Sequence, residues 1–337
     1  MPSQRSEPSG WQLLAPLVDL VTPMAVRVAA TLRLADLIAA GAEQVDELAE
    51  RSGTDADALG RLLRHLARHG MFEEVSPGRF VLDERAELLR SDHPSDMRTW
   101  FDLDGFGGRM DLVFTGLLHT VRTGRPAWEE VFGAPFWDHL AADPALAASF
   151  DATMARSLRR TAAADYDWSG VKHVVDVGGG TGALLAEVLG AHPGLRGTLV
   201  DLPETVVRAR RFLGEHGLAE RCAFAGQSFF DPLPAGGDVY VLSAVIHDWA
   251  DEPAVAVLRR CAEAAGRDGR VLLVETHGRA GDDAAMFAEM DLRMLVISGG
   301  RERSTEEYTA LAAAAGLAPA EARTTASGHL LMDLRAA

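Results

Sequence analysis

The chain has 337 residues, of which 47% are hydrophobic, so it is long enough for two domains with buried cores. Its formal net charge of −16 at pH 7 repels phosphate backbones and argues against a nucleic-acid substrate. Its two cysteines, Cys222 and Cys261, give no disulfide framework, which predicts a cytoplasmic location. No apolar run approaches the roughly 20 residues that span a bilayer. The N-terminus also lacks a signal-peptide pattern, so no membrane partner is expected.

The first hundred residues predict a mainly helical domain. Apolar residues recur at helical spacing from Trp11 to about Ala40, in a stripe wide enough to predict burial on several sides. Two further helices, over 45–52 and 58–69, precede a predicted hairpin over 71–82, and this order is typical of a winged helix. Residues 1–100 hold 11 arginines against 16 acidic residues, so packing or dimerisation is favoured over DNA binding.

The rest of the chain predicts a helical segment followed by an α/β domain. Residues 95–168 are mainly helical and rich in aromatic residues, some of which can line an apolar pocket. From residue 169 onward strands alternate with helices, which predicts a doubly wound sheet with an antiparallel edge. The predicted strands lie at 174–177, 197–201, 222–225, 238–242 and 270–274, with a closing pair that includes 330–332. The expected domains are 1–94, 95–168 and 169–337.

A glycine turn is the most specific local pattern: the strand Val174–Val177 runs into Gly178-Gly179-Gly180-Thr181-Gly182 and then an apolar helix. This is the entry unit of a nucleotide-binding sheet, because glycines let a ligand lie against bare backbone. The spacing of Gly178, Gly180 and Ala183 nominally fits the dinucleotide fingerprint, which leaves a dehydrogenase open.

Two acids accompany the turn. Asp176 lies two residues before the first glycine, and Asp201 ends the second strand, 23 residues after Gly178. A carboxylate at the second position can accept both ribose hydroxyls. Because no basic phosphate clamp is nearby, the pair favours a cationic nucleoside over a pyrophosphate dinucleotide.

The glycine segment resembles the S-adenosylmethionine site of class I methyltransferases. Later segments are similar to the plant caffeate-type and bacterial antibiotic-pathway O-methyltransferases: Leu242-Ser243-Ala244-Val245-Ile246-His247-Asp248-Trp249, Val271-Leu272-Leu273-Val274-Glu275 and Gly299-Gly300-Arg301-Glu302-Arg303. The resemblance covers nearly the whole chain, and residues 229–234 and 291–295 are similar to the anthracycline-type subgroup. It implies an α/β, Rossmann-like class I methyltransferase sheet behind an N-terminal winged-helix dimerisation domain, with S-adenosyl-L-methionine as cofactor and a homodimeric assembly.

His247 is the candidate general base, because it follows the fourth predicted strand at the sheet edge where ligands bind. A phenol has a pKa of about 10 and imidazole one of about 6.5, and a positioned neutral imidazole that takes the proton typically gains about 10²–10⁴-fold. The resemblance implies that Glu275 and Glu302 orient this base. Asp248 is a secondary candidate for that role, because adjacent side chains rarely face each other. His277 is a rival base.

The resemblance also implies the binding residues. Those for the cofactor are Asp176, Gly178, Gly180, Asp201, Leu202, Ser228, Phe229, Ser243 and Trp249. Those for the acceptor are Phe150, Met154, Met294 and Asp248. Ser228 stands where many relatives have Asp, so one adenine contact is expected to be weaker. No acidic cluster has Mg²⁺ spacing, so metal-independent catalysis is expected.

The predicted reaction is methylation of a phenolic or enolic hydroxyl of a small aromatic or polyketide-type intermediate in antibiotic biosynthesis. Two alternatives stay open. Some bacterial relatives lack the histidine and use the bound cofactor for hydroxylation or decarboxylation. The winged helix also leaves a non-enzymatic regulator that senses the cofactor.

Overall fold

The computed structural model describes residues 9–157, 165–276, 284–325 and 328–337, without the side chains of residues 12 and 155–157. The chain divides into two compact units, Met1–Asp111 and Leu112–Ala337. The sequence-based division into three domains stays a prediction.

The first unit is mainly helical. Its elements are α1 (Gly10–Val18), α2 (Val21–Thr31), α3 (Leu34–Ala39), α4 (Val45–Ser52), α5 (Ala56–Arg68), β1 (Glu73–Ser76), β2 (Arg79–Val81), α6 (Glu84–Glu87), α7 (Met97–Phe101) and α8 (Phe106–Leu112), which runs one residue past the boundary. Helix α5 starts where the Asp55 carboxylate accepts the Ala58 N–H at 2.8 Å, and it buries Leu59, Leu63 and Leu66 on one face. The antiparallel pair β1–β2 follows, which confirms the predicted helix–helix–hairpin order.

Helix α1 corrects two expectations. Its apolar side chains are exposed in the single chain, with Trp11 at 72% and Leu17 at 81%, so the expected burial is wrong for α1, whereas α2 and α3 do bury apolar residues. The stretch Leu13–Thr31 is also long and apolar enough to cross a bilayer by length and composition, contrary to the prediction that no such run exists. Only 17% of this stretch is buried in the single chain. Its apolar side chains therefore form an exposed surface, of the kind that often contacts another protein chain.

The second unit consists of a seven-stranded sheet and the helices around it. The helices are α9 (Leu117–Thr123), α10 (Trp128–Phe132), α11 (Phe136–Ala142), α12 (Pro144–Ser157), α13 (Ala183–Ala191), α14 (Pro203–Glu215), α15 (Asp251–Ala265), α16 (Ala284–Ile297) and α17 (Thr305–Ala314). Short 3₁₀ turns lie at Val113–Gly116, Ala219–Arg221 and Ile246–Asp248. The strands are β3 (His173–Val177), β4 (Arg196–Asp201), β5 (Cys222–Gly226), β6 (Val239–Ser243), β7 (Arg270–Glu275), β8 (Leu317–Thr324) and β9 (Leu330–Ala336).

The strand order is β5-β4-β3-β6-β7-β9-β8, and the first five strands are parallel. Strand β9 runs antiparallel to both β7 and β8, which confirms the doubly wound sheet with an antiparallel edge. The order reverses between β3 and β6, and ligands of such sheets bind at the carboxyl ends of the strands beside that reversal.

Burial of the central strands explains why polar residues collect at this edge. All five residues of β6 are buried, and apolar clusters cover both faces of the sheet. Such doubly covered strands are apolar along their length. The exceptions lie near the carboxyl ends, where Asp176, Ser243 and Glu275 are buried polar residues that need partners.

Candidate active site

The glycine turn between β3 and α13 presents bare backbone at the carboxyl edge. Gly178 has φ of +73° and Gly180 of +55°, a left-handed region that favours glycine. The Gly178 N–H donates to the Val200 carbonyl at 2.8 Å, which ties the turn to β4. A Cβ on Gly180 would meet no heavy atom within 4 Å, so the turn is open on that side.

Two carboxylates flank the turn. Asp201, at the end of β4, accepts the Gly180 N–H at 2.9 Å and the Leu202 N–H at 2.7 Å. Asp176 on β3 is buried, and its Oδ2 has no hydrogen-bond partner among the described residues. Burial, reinforced by the charge of Asp201, raises the pKa of Asp176 to about 7, and burial also raises the pKa of Asp201. A cation beside this pair would favour the ionised carboxylates.

Partnerless buried atoms indicate that this edge receives a polar ligand. Besides Asp176 Oδ2, they include Ser243 Oγ at the end of β6 and Trp249 Nε1 in the following loop. Buried polar atoms are nearly always hydrogen-bonded, so these three atoms call for an outside partner. Ser228 Oγ differs, because it accepts the Phe230 N–H at 3.2 Å within its own turn.

An aromatic group borders the turn. A Cβ on Gly178 would lie 3.5 Å from the Phe229 ring, so this ring packs beside the glycine backbone. Trp249 meets Phe229 and Phe230 edge-on, and it stacks on Trp137 of α11 with ring centres 6.0 Å apart and planes 12° apart. Trp137 belongs to the aromatic-rich segment 95–168, but the sequence does not single it out, because only the fold brings α11 to the loop after β6.

His247 lies in the 3₁₀ turn that follows β6. Its Nδ1 is 2.9 Å from Glu302 Oε1, which leaves Nε2 as the nitrogen that can exchange a proton with an acceptor. Glu302 is buried and is held through its backbone N–H, which donates to Asp291 at 2.9 Å. The structure therefore brings His247 and Glu302 together as predicted.

The backbone of this turn is closely constrained. Ala244 has φ of +52°, a conformation that costs a residue with a Cβ on the order of 1–3 kcal/mol. On the other side, a Cβ added to Gly300 would lie 2.2 Å from the His247 carbonyl oxygen. The peptide that carries the imidazole thus sits directly against glycine backbone.

Glu275 corrects the prediction in detail. Its Oε1 accepts the N–H groups of Val245 and Ile246 at 3.1 and 2.8 Å, and its Oε2 has no partner within the part of the chain that the structure describes. Glu275 therefore holds the backbone of the turn, whereas Glu302 alone of the two carboxylates bonds to the ring. Burial raises the pKa of Glu275 to about 7.

Asp248 gives one further correction, and the carboxylates near His247 shift the pKa of its imidazole. Asp248 Oδ1 is 3.8 Å from His247 Nε2, so these adjacent side chains do approach each other. Burial lowers the pKa of His247, but the charges of Asp248, Glu302 and Glu275 together outweigh it and raise that pKa to about 10. The raised pKa favours the protonated imidazole near pH 7 in the protein alone.

The predicted acceptor residues lie on two helices. Phe150 of α12 packs edge-on against Phe136 and Trp137, with ring centres 5.8 and 6.1 Å apart, so it joins the aromatic group that reaches Trp249. Met294 of α16 is buried, and Met154 of α12 is half-buried. Their contact with an acceptor stays a prediction. The rival base His277 lies outside the described residues.

The fold and the site define a class: methyltransferases with a doubly wound sheet, an acid–glycine turn and a histidine–carboxylate pair. The chain matches the family model of the O-methyltransferase domain over residues 114–318 and that of the O-methyltransferase dimerisation domain over residues 17–92. It therefore belongs to the O-methyltransferase family, and its cofactor is S-adenosylmethionine.

Known proteins resemble the chain over almost its full length. A 2,7-dihydroxy-5-methyl-1-naphthoate 7-O-methyltransferase of Streptomyces carzinostaticus is 52% identical over 308 residues, which cover 90% of this chain and 92% of that protein. An aclacinomycin 10-hydroxylase of Streptomyces purpurascens is 48% identical over 328 residues, covering 95% and 88%.

A solved structure is also similar. It is an O-methyltransferase from neocarzinostatin biosynthesis, in complex with S-adenosylmethionine and 2-hydroxy-5-methyl naphthoic acid. It matches with a TM-score of 0.90 and 49% identity, covering 96% of this chain and 98% of that one. The predicted family, fold class and cofactor are confirmed.

The residues present fit this cofactor. We expect Asp201 to accept ribose hydroxyls, since its carboxylate is already placed by the Gly180 N–H. We expect Asp176 Oδ2, Ser243 Oγ and Trp249 Nε1 to gain the partners that they lack in the protein alone. Phe229 offers an apolar ring beside the same glycine backbone.

The raised pKa of Asp176 predicts pH-dependent cofactor affinity. Because only the ionised carboxylate attracts a cation, the Kd for S-adenosylmethionine should fall as the pH rises through about 7. Asp176→Asn should weaken binding by about 10- to 100-fold, the range expected for a charged hydrogen bond, and should flatten this dependence. Calorimetric titration at several pH values measures both effects. The matched control is Asp268→Asn, an exposed acid before β7; equal affinities for the two variants would contradict the role of Asp176.

Proposed function

We propose that the chain transfers a methyl group from S-adenosylmethionine to a hydroxyl of a small hydroxylated aromatic compound of naphthoate or polyketide type, in antibiotic biosynthesis. The carrying observation is the hydrogen bond between His247 Nδ1 and the buried Glu302, which leaves Nε2 of the half-buried imidazole to an acceptor hydroxyl. The 52% identical relative that acts on a dihydroxy-methyl-naphthoate supports this acceptor class. We also propose a cytoplasmic location and no nucleic-acid or membrane partner.

The mechanism assigns proton transfer to this pair. S-adenosylmethionine, when bound, supplies a methyl group on a positively charged sulfur. His247 Nε2 removes the acceptor proton, while its Nδ1–H donates to Glu302, which selects the tautomer and stabilises the imidazolium that forms. Glu275 holds the turn through the Val245 and Ile246 amides, so that Nε2 keeps its direction. Trp137, Phe150 and Met294 are proposed to pack against the flat acceptor and exclude water.

The high pKa of His247 suits a phenolic acceptor. A phenol ionises near a pKa of about 10, and the three carboxylates raise that of the imidazole to about 10. Proton transfer between two groups of equal pKa has a free-energy change close to zero. The hydroxyl can therefore lose its proton to the imidazole while its oxygen attacks the methyl group. Little of the imidazole is neutral at pH 7 in the protein alone, and a cation held nearby would increase that fraction.

Hydroxylation is the second candidate function, because a 48% identical relative carries the name aclacinomycin 10-hydroxylase. Methylation is favoured by the intact His247–Glu302 pair, since hydroxylation of a carbon centre needs no base at an acceptor oxygen. Mass analysis of the product separates the two, because methylation adds a CH₂ unit and hydroxylation adds an oxygen atom.

Removal of the base tests the proposed function. With 2,7-dihydroxy-5-methyl-1-naphthoate as acceptor, His247→Ala should lower kcat by about 10²–10⁴-fold, the usual contribution of general acid–base catalysis. The Kd for S-adenosylmethionine should change less than about twofold, because His247 is not one of the residues predicted to bind the cofactor. His216→Ala alters an exposed histidine at the end of α14 and serves as the control. Wild-type turnover in His247→Ala would refute the base assignment.

The carboxylates around His247 predict the direction of the pH–rate profile. The neutral imidazole becomes more abundant as the pH rises toward about 10, so kcat should increase with pH on the acidic side. Asp248→Asn removes one negative charge near Nε2 and thereby destabilises the imidazolium. The rising limb of the profile, over which kcat increases with pH, should therefore move to lower pH. Glu252→Gln, an exposed acid in the first turn of α15, should leave the limb in place. A shift of the Asp248→Asn limb to higher pH would oppose this electrostatic account.

A homodimer is proposed from the exposed face of α1 and the match to a dimerisation domain. Light scattering after gel filtration should give about twice the chain mass of 36.1 kDa. Leu17→Asp places a charge on the 81% exposed apolar position and should shift the protein toward monomer. Val207→Asp, on a 70% exposed position of α14, is the matched control and should stay dimeric. Monomeric wild-type protein, or a dimer unaffected by Leu17→Asp, would count against this interface.

A further inference from the structure

Arg303, for which the sequence motif indicates no role, contacts the turn that carries His247. Arg303 lies in the loop that joins α16 to α17, and its side chain is fully buried, although arginine is rarely buried. Nη1 donates to the Ile246 carbonyl at 3.2 Å, and Nη2 donates to the Trp249 carbonyl at 2.8 Å. These two carbonyls lie on either side of His247, so one guanidinium spans the peptide that presents the imidazole.

The charge of Arg303 is balanced locally. Its Nε and Nη2 both donate to Asp251 Oδ1, at 3.1 and 2.8 Å, and Nη1 also donates to the Arg301 carbonyl at 3.2 Å. Asp251 begins α15, so the same guanidinium fastens the turn to the helix that follows. Five donor contacts from one planar group match a geometry that a single ammonium cannot reproduce.

Two buried residues of opposite charge therefore hold one turn. Glu275 accepts the amides of Val245 and Ile246 from the β7 side, and Arg303 donates to the carbonyls of Ile246 and Trp249. The peptide of Ile246 is bonded at both its N–H and its carbonyl. The turn has little freedom to rotate, and it keeps the strained Ala244 conformation at its start.

We propose that Arg303 is a positioning residue for methyl transfer: it acts through the backbone to fix the direction of His247, and it does not touch the reacting atoms. The inference rests on the proposed role of His247 as base. Positioning matters because a misplacement of about 1 Å can cost about 100-fold in rate. A turn held only by Glu275 would still fold, but it would sample other imidazole directions.

Single substitutions give the first test. Arg303→Met removes all five contacts and should lower kcat at least about tenfold, with KM and Kd for S-adenosylmethionine within about twofold. Arg303→Lys should have a higher kcat than Arg303→Met, because the lysine ammonium keeps the positive charge but lacks the planar set of donors of the guanidinium. Arg259→Met is the control, since that exposed arginine donates to the Ala314 carbonyl and does not reach the turn. Rates are expressed per cofactor-binding site, from calorimetric stoichiometry, so that misfolded protein does not count.

A double-mutant cycle separates positioning from a general structural role. If Arg303 acts only through the imidazole, His247→Ala with Arg303→Lys should be no slower than His247→Ala alone, with 2,7-dihydroxy-5-methyl-1-naphthoate as the acceptor. Additive losses would overturn the proposal, as would wild-type kcat in both Arg303→Met and Arg303→Lys while His247→Ala is inactive. Full turnover by His247→Ala would instead defeat the proposed function, so the two failures are distinguishable.

Discussion

One hydrogen bond organises the active site: the contact between His247 Nδ1 and Glu302 Oε1 at 2.9 Å. It leaves Nε2 as the other ring nitrogen, and in the proposed mechanism it pairs the imidazolium that forms with a buried carboxylate. The bond joins distant parts of the chain, because His247 follows β6 whereas Glu302 precedes α17. The backbone contacts of Glu275 and of the buried Arg303 both hold the turn that carries this imidazole.

Four titratable groups lie close together at this site: the buried Glu275 and Glu302 and the half-buried His247 and Asp248. Glu275, Glu302 and Asp248 surround one imidazole, so the cluster favours a protonated histidine in the protein alone. An imidazole of ordinary pKa would take a phenolic proton uphill by several pKa units. In the proposed mechanism the acidic surroundings strengthen His247 as a base and lower its neutral fraction, which would suit acceptors with weakly acidic hydroxyls.

Much of the fold could be predicted from the sequence because its signals are local. The apolar runs of the parallel strands and the glycines of the β3–α13 turn reflect buried strands and left-handed backbone, which only certain residues permit. The exposure of α1 could not be predicted, since apolar periodicity cannot distinguish burial in one chain from burial between two. The resemblance implies a role for Glu275, and Asp248 is the sequence neighbour of His247, but the contacts that each makes depend on the path of one turn. Trp137 and Arg303 reach the site only through long-range packing.

The close approach of Gly300 to the His247 carbonyl limits how this enzyme can be redesigned. A methyl group at position 300 would overlap that oxygen at 2.2 Å, and backbone atoms of Asp248 lie nearly as close. No rotamer change can relieve such an overlap, since the backbone fixes the position of the Cβ and the atoms that it meets belong to the main chain. Libraries that diversify the cleft for new acceptors should therefore keep glycine at this position and vary the helical residues of α11, α12 and α16 instead.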